Sequence, residues 1–330
     1  MKNSFTFLIC SERSGSNLIV KIFNSHPEFC GPSPTHLLRN FIPILARYKN
    51  NDEKLINDVF QVFNSKLSFW NTNVSIRELS GLKNKKLSDL YQYIYTKEAE
   101  FENKRRVFIK ENHAYNFIPY ILLSYPESKF ITLVRDPRDM ALSWKNAKAL
   151  KGSIIRAVDI WVLDQSMAIN AYNNLGIFNK NYLLRYEDLI TNPENELKKC
   201  CSFLDCDYNE QMLEFFKSGT SVKNSEMAVD WQNISRSLLT NNYNKYKNDL
   251  TDDEIKYIEY KCDIYMDTLN YRKEFNKIYD SEFYKIENKL RKKENDKIVK
   301  YEKEVSEEER NKRRMVQEVL GKIKNAEAMV

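Results

Sequence analysis

Residues 5–10, Phe-Thr-Phe-Leu-Ile-Cys, are apolar and β-prone apart from Thr6, the pattern of a buried strand. Polar and small residues follow, and from Asn17 to Ser25 the apolar positions Leu18, Ile19, Ile22 and Phe23 recur at helical spacing. The chain therefore opens as strand, polar loop and helix, which brings a strand end and a helix N-terminus to one loop. A second unit starts at Phe130, where Phe-Ile-Thr-Leu-Val runs into Arg135-Asp-Pro-Arg-Asp139 and a helical stretch over 140–150. Pro137 suits a turn or a first helical turn and excludes a central strand there. The next helix, over 154–175, carries Ile155, Val158, Val162, Gln165 and Ile169 on one stripe. A third strand-like segment covers 182–189, and Pro193 starts a helix ending near Leu204. Strands alternating with helices predict an α/β fold with a central, mostly parallel sheet flanked by helices.

Between the first two units, residues 40–105 are mostly polar and helical, with Leu87, Leu90, Tyr91 and Ile94 on one face, and are expected to be a helical insertion. Near the end, Thr251-Asp-Asp-Glu254 has the form of a capping box before the amphipathic run from Ile255 to Leu269. From Lys285 onward 24 of 46 residues are charged and the apolar ones are thin and irregular, which predicts a charged helical tail outside the core. The expected division is a main domain over 1–280, containing the insertion, and a helical or coiled-coil tail over 281–330 that could support self-association.

Composition narrows the chemistry. The chain has 330 residues, 42% hydrophobic and 13% aromatic, enough to build a core and too apolar for a disordered chain. Only 7 glycines are present, and no G-x-G-x-x-G or G-x-x-x-x-G-K-[ST] occurs. Six cysteines form no C-x-x-C pair and only 3 histidines could join them, so no metal site is expected. No apolar run approaches the roughly 20 residues of a membrane span, and a cytoplasmic protein is expected. The net charge is +6, but the segment from Lys285 holds 14 Lys and Arg against 10 Asp and Glu, so most of the excess lies in the tail. A nucleic-acid partner is not expected.

Two strand-to-helix loops carry the candidate chemistry. In the first, Arg13, Ser14, Gly15, Ser16 and Asn17 combine a cation, hydroxyls and a glycine at a helix N-terminus, where unpaired N–H groups favour an anion. An ordinary N-cap uses the same residue types. In the second, Arg135 ends an apolar strand and Ser143 follows eight residues later, a fork and a hydroxyl suited to a phosphate monoester. The competing reading pairs Arg135 with Asp136 or Asp139 as an ion pair.

Glu-Arg-Ser-Gly-Ser-Asn-Leu at 12–18, Val-Arg-Asp-Pro-Arg-Asp-Met-Ala-Leu-Ser at 134–143 and Leu-Arg-Tyr-Glu-Asp-Leu at 184–189 together resemble the sulfotransferases that use 3′-phosphoadenosine 5′-phosphosulfate (PAPS). The resemblance spans roughly residues 4–270. It implies a fold like that of P-loop nucleotide kinases, without the P-loop lysine and without a metal. It implies Arg13, Ser14, Gly15, Ser16 and Asn17 at the 5′-phosphosulfate, and Arg135 and Ser143 at the 3′-phosphate. Adenosine 3′,5′-bisphosphate (PAP) is then the product, and Arg13 also acts in catalysis by stabilising charge on the leaving phosphate. Tyr186 resembles a tyrosine near the adenine, and Lys245 a basic residue of a late segment that closes over the nucleotide. Trp231 has no settled role.

Sulfuryl transfer needs a general base at the acceptor. His26, at the end of the first helix, suits a capping or packing role. His113 resembles the histidine of the Lys-Thr-His motif of cytosolic sulfotransferases, although one extra residue separates it from Lys110. His36 lies where carbohydrate and tyrosylprotein members place a glutamate that this chain lacks. His36 and His113 stay open as bases, with Glu111 third. Small-molecule, carbohydrate, lipid and peptide acceptors all remain open, as do two rival functions, a nucleotide kinase-like phosphotransferase and a non-catalytic nucleotide-binding scaffold.

Overall fold

A computed structural model describes residues 4–325, apart from 67, 148, 149, 228, 276, 305 and 306. Five strands, β1 (Ser4–Cys10), β2 (Phe29–Cys30), β3 (Arg106–Lys110), β4 (Lys129–Val134) and β5 (Asn181–Arg185), form one sheet in the order β2-β3-β1-β4-β5. Every ladder is parallel. The expected α/β architecture with a central parallel sheet is present. Residues from Phe5 to Cys10 are all buried, because a parallel sheet is covered on both faces.

Alternation along β1 divides the core. Phe5, Phe7 and Ile9 face one cluster with Val107, Ile109 and Phe130. Leu8 and Cys10 face another with Phe108, Ile131, Leu133 and the apolar side of helix α1 (Ser16–Asn24). Phe23 of α1 stacks on Phe108 at 4.2 Å, and burying each such ring contributes about 1.5–3 kcal/mol. Within 40–105, the helices Asp52–Asn64 and Leu87–Phe101 pack Leu55, Val59, Leu90 and Ile94 into the first cluster, so this segment covers one face of the sheet.

Three local expectations need correction. Strand β3 was not foreseen, because Arg-Val-Phe-Ile-Lys holds only three apolar residues between charged ends, too few to show a period. The segment 182–189 is strand only to Arg185, and Tyr186 starts the helix Tyr186–Thr191. The tail is not wholly outside the core. Phe283, Ile286 and Leu290 lie on one stripe of the helix Asp280–Glu304 and are buried beside Ile154, Ile155 and Ile258, and Ile323 of the helix Glu307–Asn325 is buried in the first cluster. A few well-spaced apolar residues suffice to dock a charged helix. The capping box forms, with Thr251 N–H donating to Glu254 Oε2 at 2.9 Å and Glu254 N–H donating to Thr251 Oγ1 at 3.4 Å.

Candidate active site

The carboxyl ends of β1, β3, β4 and β5 release four segments toward one cleft of about 590 Å³. This is where an open parallel sheet places its ligands. The loop after β1 turns sharply, with Arg13 at φ 63° and Gly15 at φ +91° before α1 begins at Ser16. Gly15 is required twice over. Its conformation disfavours a side chain, and a Cβ there would stand 2.5 Å from Cδ2 of Tyr186. Lys110, the last residue of β3, donates from Nζ to Asn17 Oδ1 at 2.8 Å.

Arg135 joins the two predicted loops. Its Nη1 donates to the Arg13 carbonyl at 2.9 Å, its Nη2 to the Asn242 carbonyl at 3.3 Å, and the guanidinium lies 4.4 Å from the centre of the Tyr186 ring. Its Nε is buried and has no hydrogen-bond partner. The competing ion pair does not form. Asp136 is held by Arg138 at 2.7 Å, and Asp139 accepts from the backbone N–H groups of Asn244 and Tyr246. Arg138 is bound from its other side by Glu259 at 2.6 Å, so the two arginines of this loop have different neighbours. Arg13 Nε in turn donates to Ser143 Oγ at 3.2 Å, across from the helix Pro137–Asn146.

Of the residues singled out in the sequence, Arg13, Gly15, Ser16, Asn17, His36, Arg135, Ser143, Tyr186 and Trp231 line the cleft. Ser14 does not, since it is buried and donates to the Ser11 carbonyl at 2.6 Å. Lys245 is exposed, outside the lining, and His113 also stands outside it, its ring stacked on Tyr115 at 5.7 Å. Lys110, Arg39 and Asn242 line the cleft and were not anticipated as site residues. In the sequence Lys110 stood out only as the lysine ahead of His113, and its place at the cleft follows from its position at the end of β3. Asn242 donates from Nδ2 to the Tyr186 hydroxyl at 2.7 Å, a pairing across 56 residues with no local signal.

His36 and Glu111 meet at one wall. His36 Nδ1 lies 3.9 Å from Glu111 Oε1 and 3.5 Å from the backbone N–H of Asn112, and 29% of the His36 side chain is exposed. Burial, helped by the positive charges of Lys110 and Arg39, pushes His36 down to about 3, so its imidazole is neutral at pH 7. Glu111 is fully buried, which pushes it up to about 8, against the lowering effect of hydrogen bonds from the Arg39 backbone N–H at 3.1 Å and the Tyr91 hydroxyl at 3.3 Å. Burial likewise lowers His113. His26 accepts at Nδ1 from the Glu28 N–H and places Nε2 2.8 Å from the Asp207 carbonyl, a structural role.

The parallel sheet, with arginine-bearing loops after β1 and β4, gives the chain a P-loop-like α/β fold, and residues 6–210 match the sulfotransferase family: the chain belongs to that family. An uncharacterized protein of Aquifex aeolicus is 25% identical over 252 residues, which span 73% of this chain but 31% of that protein. A Caenorhabditis briggsae protein named "Putative protein-tyrosine sulfotransferase" is 23% identical over 287 residues, 84% of this chain and 94% of that one. Among solved structures, the sulfotransferase domain from the curacin biosynthetic pathway superposes with a TM-score of 0.58 at 18% identity, covering 83% of this chain and 99% of that domain. That likeness establishes the fold. Among the described residues, no helix is long and apolar enough to cross a membrane.

Proposed function

We propose that this protein transfers a sulfuryl group from PAPS to a hydroxyl or amine acceptor. The observation that carries the reading is Arg135: a buried guanidinium with no carboxylate partner among the described residues and an orphaned Nε, beside a glycine turn that leaves no room for a side chain. An anion fits that vacancy in the hydrogen bonding. Arg135 and Ser143 would hold the 3′-phosphate, and Arg13, Gly15, Ser16 and Asn17 the 5′-phosphosulfate, with Lys110 a further cation at that end.

PAPS supplies an activated sulfuryl group whose bond to the phosphate oxygen breaks as the acceptor attacks sulfur. Backbone N–H groups at the start of α1, with Arg13 and Lys110, stabilise the charge left on that oxygen. His36 is the base of choice, since it lines the cleft and is neutral. In the free protein the Asn112 N–H faces its Nδ1 at 3.5 Å, so taking the acceptor's proton at Nε2 requires the other tautomer, with the ring proton moved to Nδ1 on the side of Glu111. The anionic donor, arriving among the cations that depress His36, would raise its basicity.

The acceptor class is open to small molecules, carbohydrates, lipids and peptides, and the name of the C. briggsae relative makes tyrosine peptides the first to test. Cytoplasmic residence is part of this reading, in keeping with six free cysteines. Calorimetry with PAP tests the donor assignment. Binding that falls sharply in Arg135→Ala supports it, and no heat with the unaltered protein at high concentration overturns it.

A further inference from the structure

At the edge of the sheet opposite the cleft, His26, Cys201 and Cys206 converge, with one ligand atom of each lying within 4.8 Å of the others. The helix Pro193–Phe203 ends there in a turn through Asp205 at φ 55°, and the Cys206 N–H donates to the Cys201 carbonyl at 3.0 Å. That closure folds residue 206 back over residue 201. The turn is held from the first residues of β3 and β4. Arg106 donates to the Leu204 and Asp205 carbonyls, and Lys129 to the Phe203 carbonyl.

The cluster is unsuited to a metal ion, because both nitrogens of His26 are engaged. Nδ1 accepts from Glu28 N–H at 3.1 Å, which leaves Nε2 carrying the proton and donating to the Asp207 carbonyl. A ring in that tautomer has no lone pair free for a cation. What remains is a pair of thiols in unlike settings. Cys201 is buried, with its Sγ 3.8 Å from Met212 Sδ, whereas Cys206 is partly exposed. The Cys206 thiol donates to the Cys201 carbonyl at 3.5 Å, and the neighbouring Cys201 thiol, with His26 and the Arg106 charge, lowers Cys206 against the opposing effect of burial. Cys10, Cys30, Cys200 and Cys262 are raised by burial.

We propose that Cys206 is a peroxide-reactive cysteine and that Cys201 resolves it, so that this corner closes reversibly into a disulfide. In the first step the Cys206 thiolate attacks a peroxide oxygen, an S–O bond forms as the O–O bond breaks, and the departing hydroxide or alkoxide takes up a proton. In the second, the Cys201 sulfur attacks the sulfenic sulfur, the S–S bond forms, and water leaves with the Cys201 proton. Two electrons pass from the thiol pair to the peroxide, and a dithiol reductant reverses the change. The sulfurs need only local movement to reach the roughly 2.05 Å of a disulfide, because the two backbones are already bonded. The proposal does not rest on the sulfuryl-transfer reading.

The test treats the full-length protein with stoichiometric hydrogen peroxide, alkylates it and measures the tryptic peptide 200–217 by mass spectrometry. That peptide, which holds Cys200, Cys201 and Cys206, is expected to carry one alkyl group instead of three and to weigh two hydrogens less than its singly alkylated reduced form, and dithiothreitol before alkylation is expected to reverse the change. Cys201→Ser is expected to leave a sulfenic acid on Cys206 that dimedone traps, and Cys200→Ser to leave the disulfide intact. Cys206 in the untreated protein should alkylate at least about tenfold faster than Cys10 or Cys262. Equal alkylation rates, a disulfide that persists in Cys201→Ser, or sulfinic acid accumulating without a disulfide would each overturn the proposal.

Discussion

Arg135 donates from Nη1 to the carbonyl of Arg13 at 2.9 Å, a bond across 122 residues that ties the loop after β4 to the loop after β1. The same guanidinium rests on the Tyr186 ring, so three strand ends are joined through one side chain. Arg135→Ala is expected to weaken PAP binding by roughly 10- to 100-fold, the usual effect of losing a hydrogen bond to a charged group. Arg135→Lys should not restore it, because an ammonium offers neither the fork nor the flat face. Calorimetric titration of the three proteins decides the matter, and equal affinities would refute the assignment.

Arg138, three residues on, is expected to behave oppositely. It is 2% exposed and held between Asp136 and Glu259, so Arg138→Ala leaves two buried carboxylates without their cation. A loss of about 3–5 kcal/mol is expected in urea unfolding. A variant as stable as the unaltered protein would show that the network contributes little.

Gly15→Ala should abolish nucleotide binding through Tyr186. The added methyl meets Cδ2 and Cε2 at 2.5 Å and must displace the ring from beneath Arg135. The double change Gly15→Ala with Tyr186→Ala relieves the clash while leaving the strain of φ +91°, so it should regain part of the lost thermal stability. No such recovery would place the defect in the backbone alone.

If His36 is the base, His36→Ala lowers turnover by roughly 10²-fold or more and leaves PAP affinity nearly unchanged. His113→Ala, outside the cleft lining, is expected to lower it far less. Histidine NMR supplies a second readout: the His36 resonance should titrate near 3 in the free protein and at higher pH once PAP is bound. A reversed order of the two variants would move the base to His113.

Glu111 makes stability depend on pH. Its folded value near 8 exceeds the ordinary 4.5, so its contribution is fully present below about 4.5 and is lost as pH rises through 8. His36 has the opposite sign, with a contribution present above 6.5 and lost as pH falls toward 3. Glu111→Gln isolates the first effect. Relative to the unaltered protein it should gain stability between pH 5 and 8 by up to about 1.4 kcal/mol per pH unit. Parallel urea-unfolding profiles would mean that Glu111 is already ionised in the folded state at neutral pH.

The two strand-loop-helix units were legible in the sequence because their signals are local. Apolar runs mark β1 and β4, helical spacing marks α1, and the residues offered to an anion follow one another at 13–17. Strand β3 was hidden by its shortness, and with it the place of Lys110 at the cleft. The resemblance pointed to Tyr186, but its helical setting was hidden because the helix starts directly after β5 ends, where a β-prone tyrosine continues the strand pattern.

By itself, then, the sequence determined the α/β class, the parallel sheet, the family resemblance and the two loops, all of which rest on residues near one another in the chain. Only the tertiary structure decided that Arg135 turns from its own aspartates toward Arg13, that Lys110 and Asn242 join the cleft, and that His36 faces it while His113 packs against Tyr115. The reason is the parallel sheet. Each crossover returns the chain to the same edge after tens of residues, so the side chains that meet there are distant in sequence and their pairing is set by strand order.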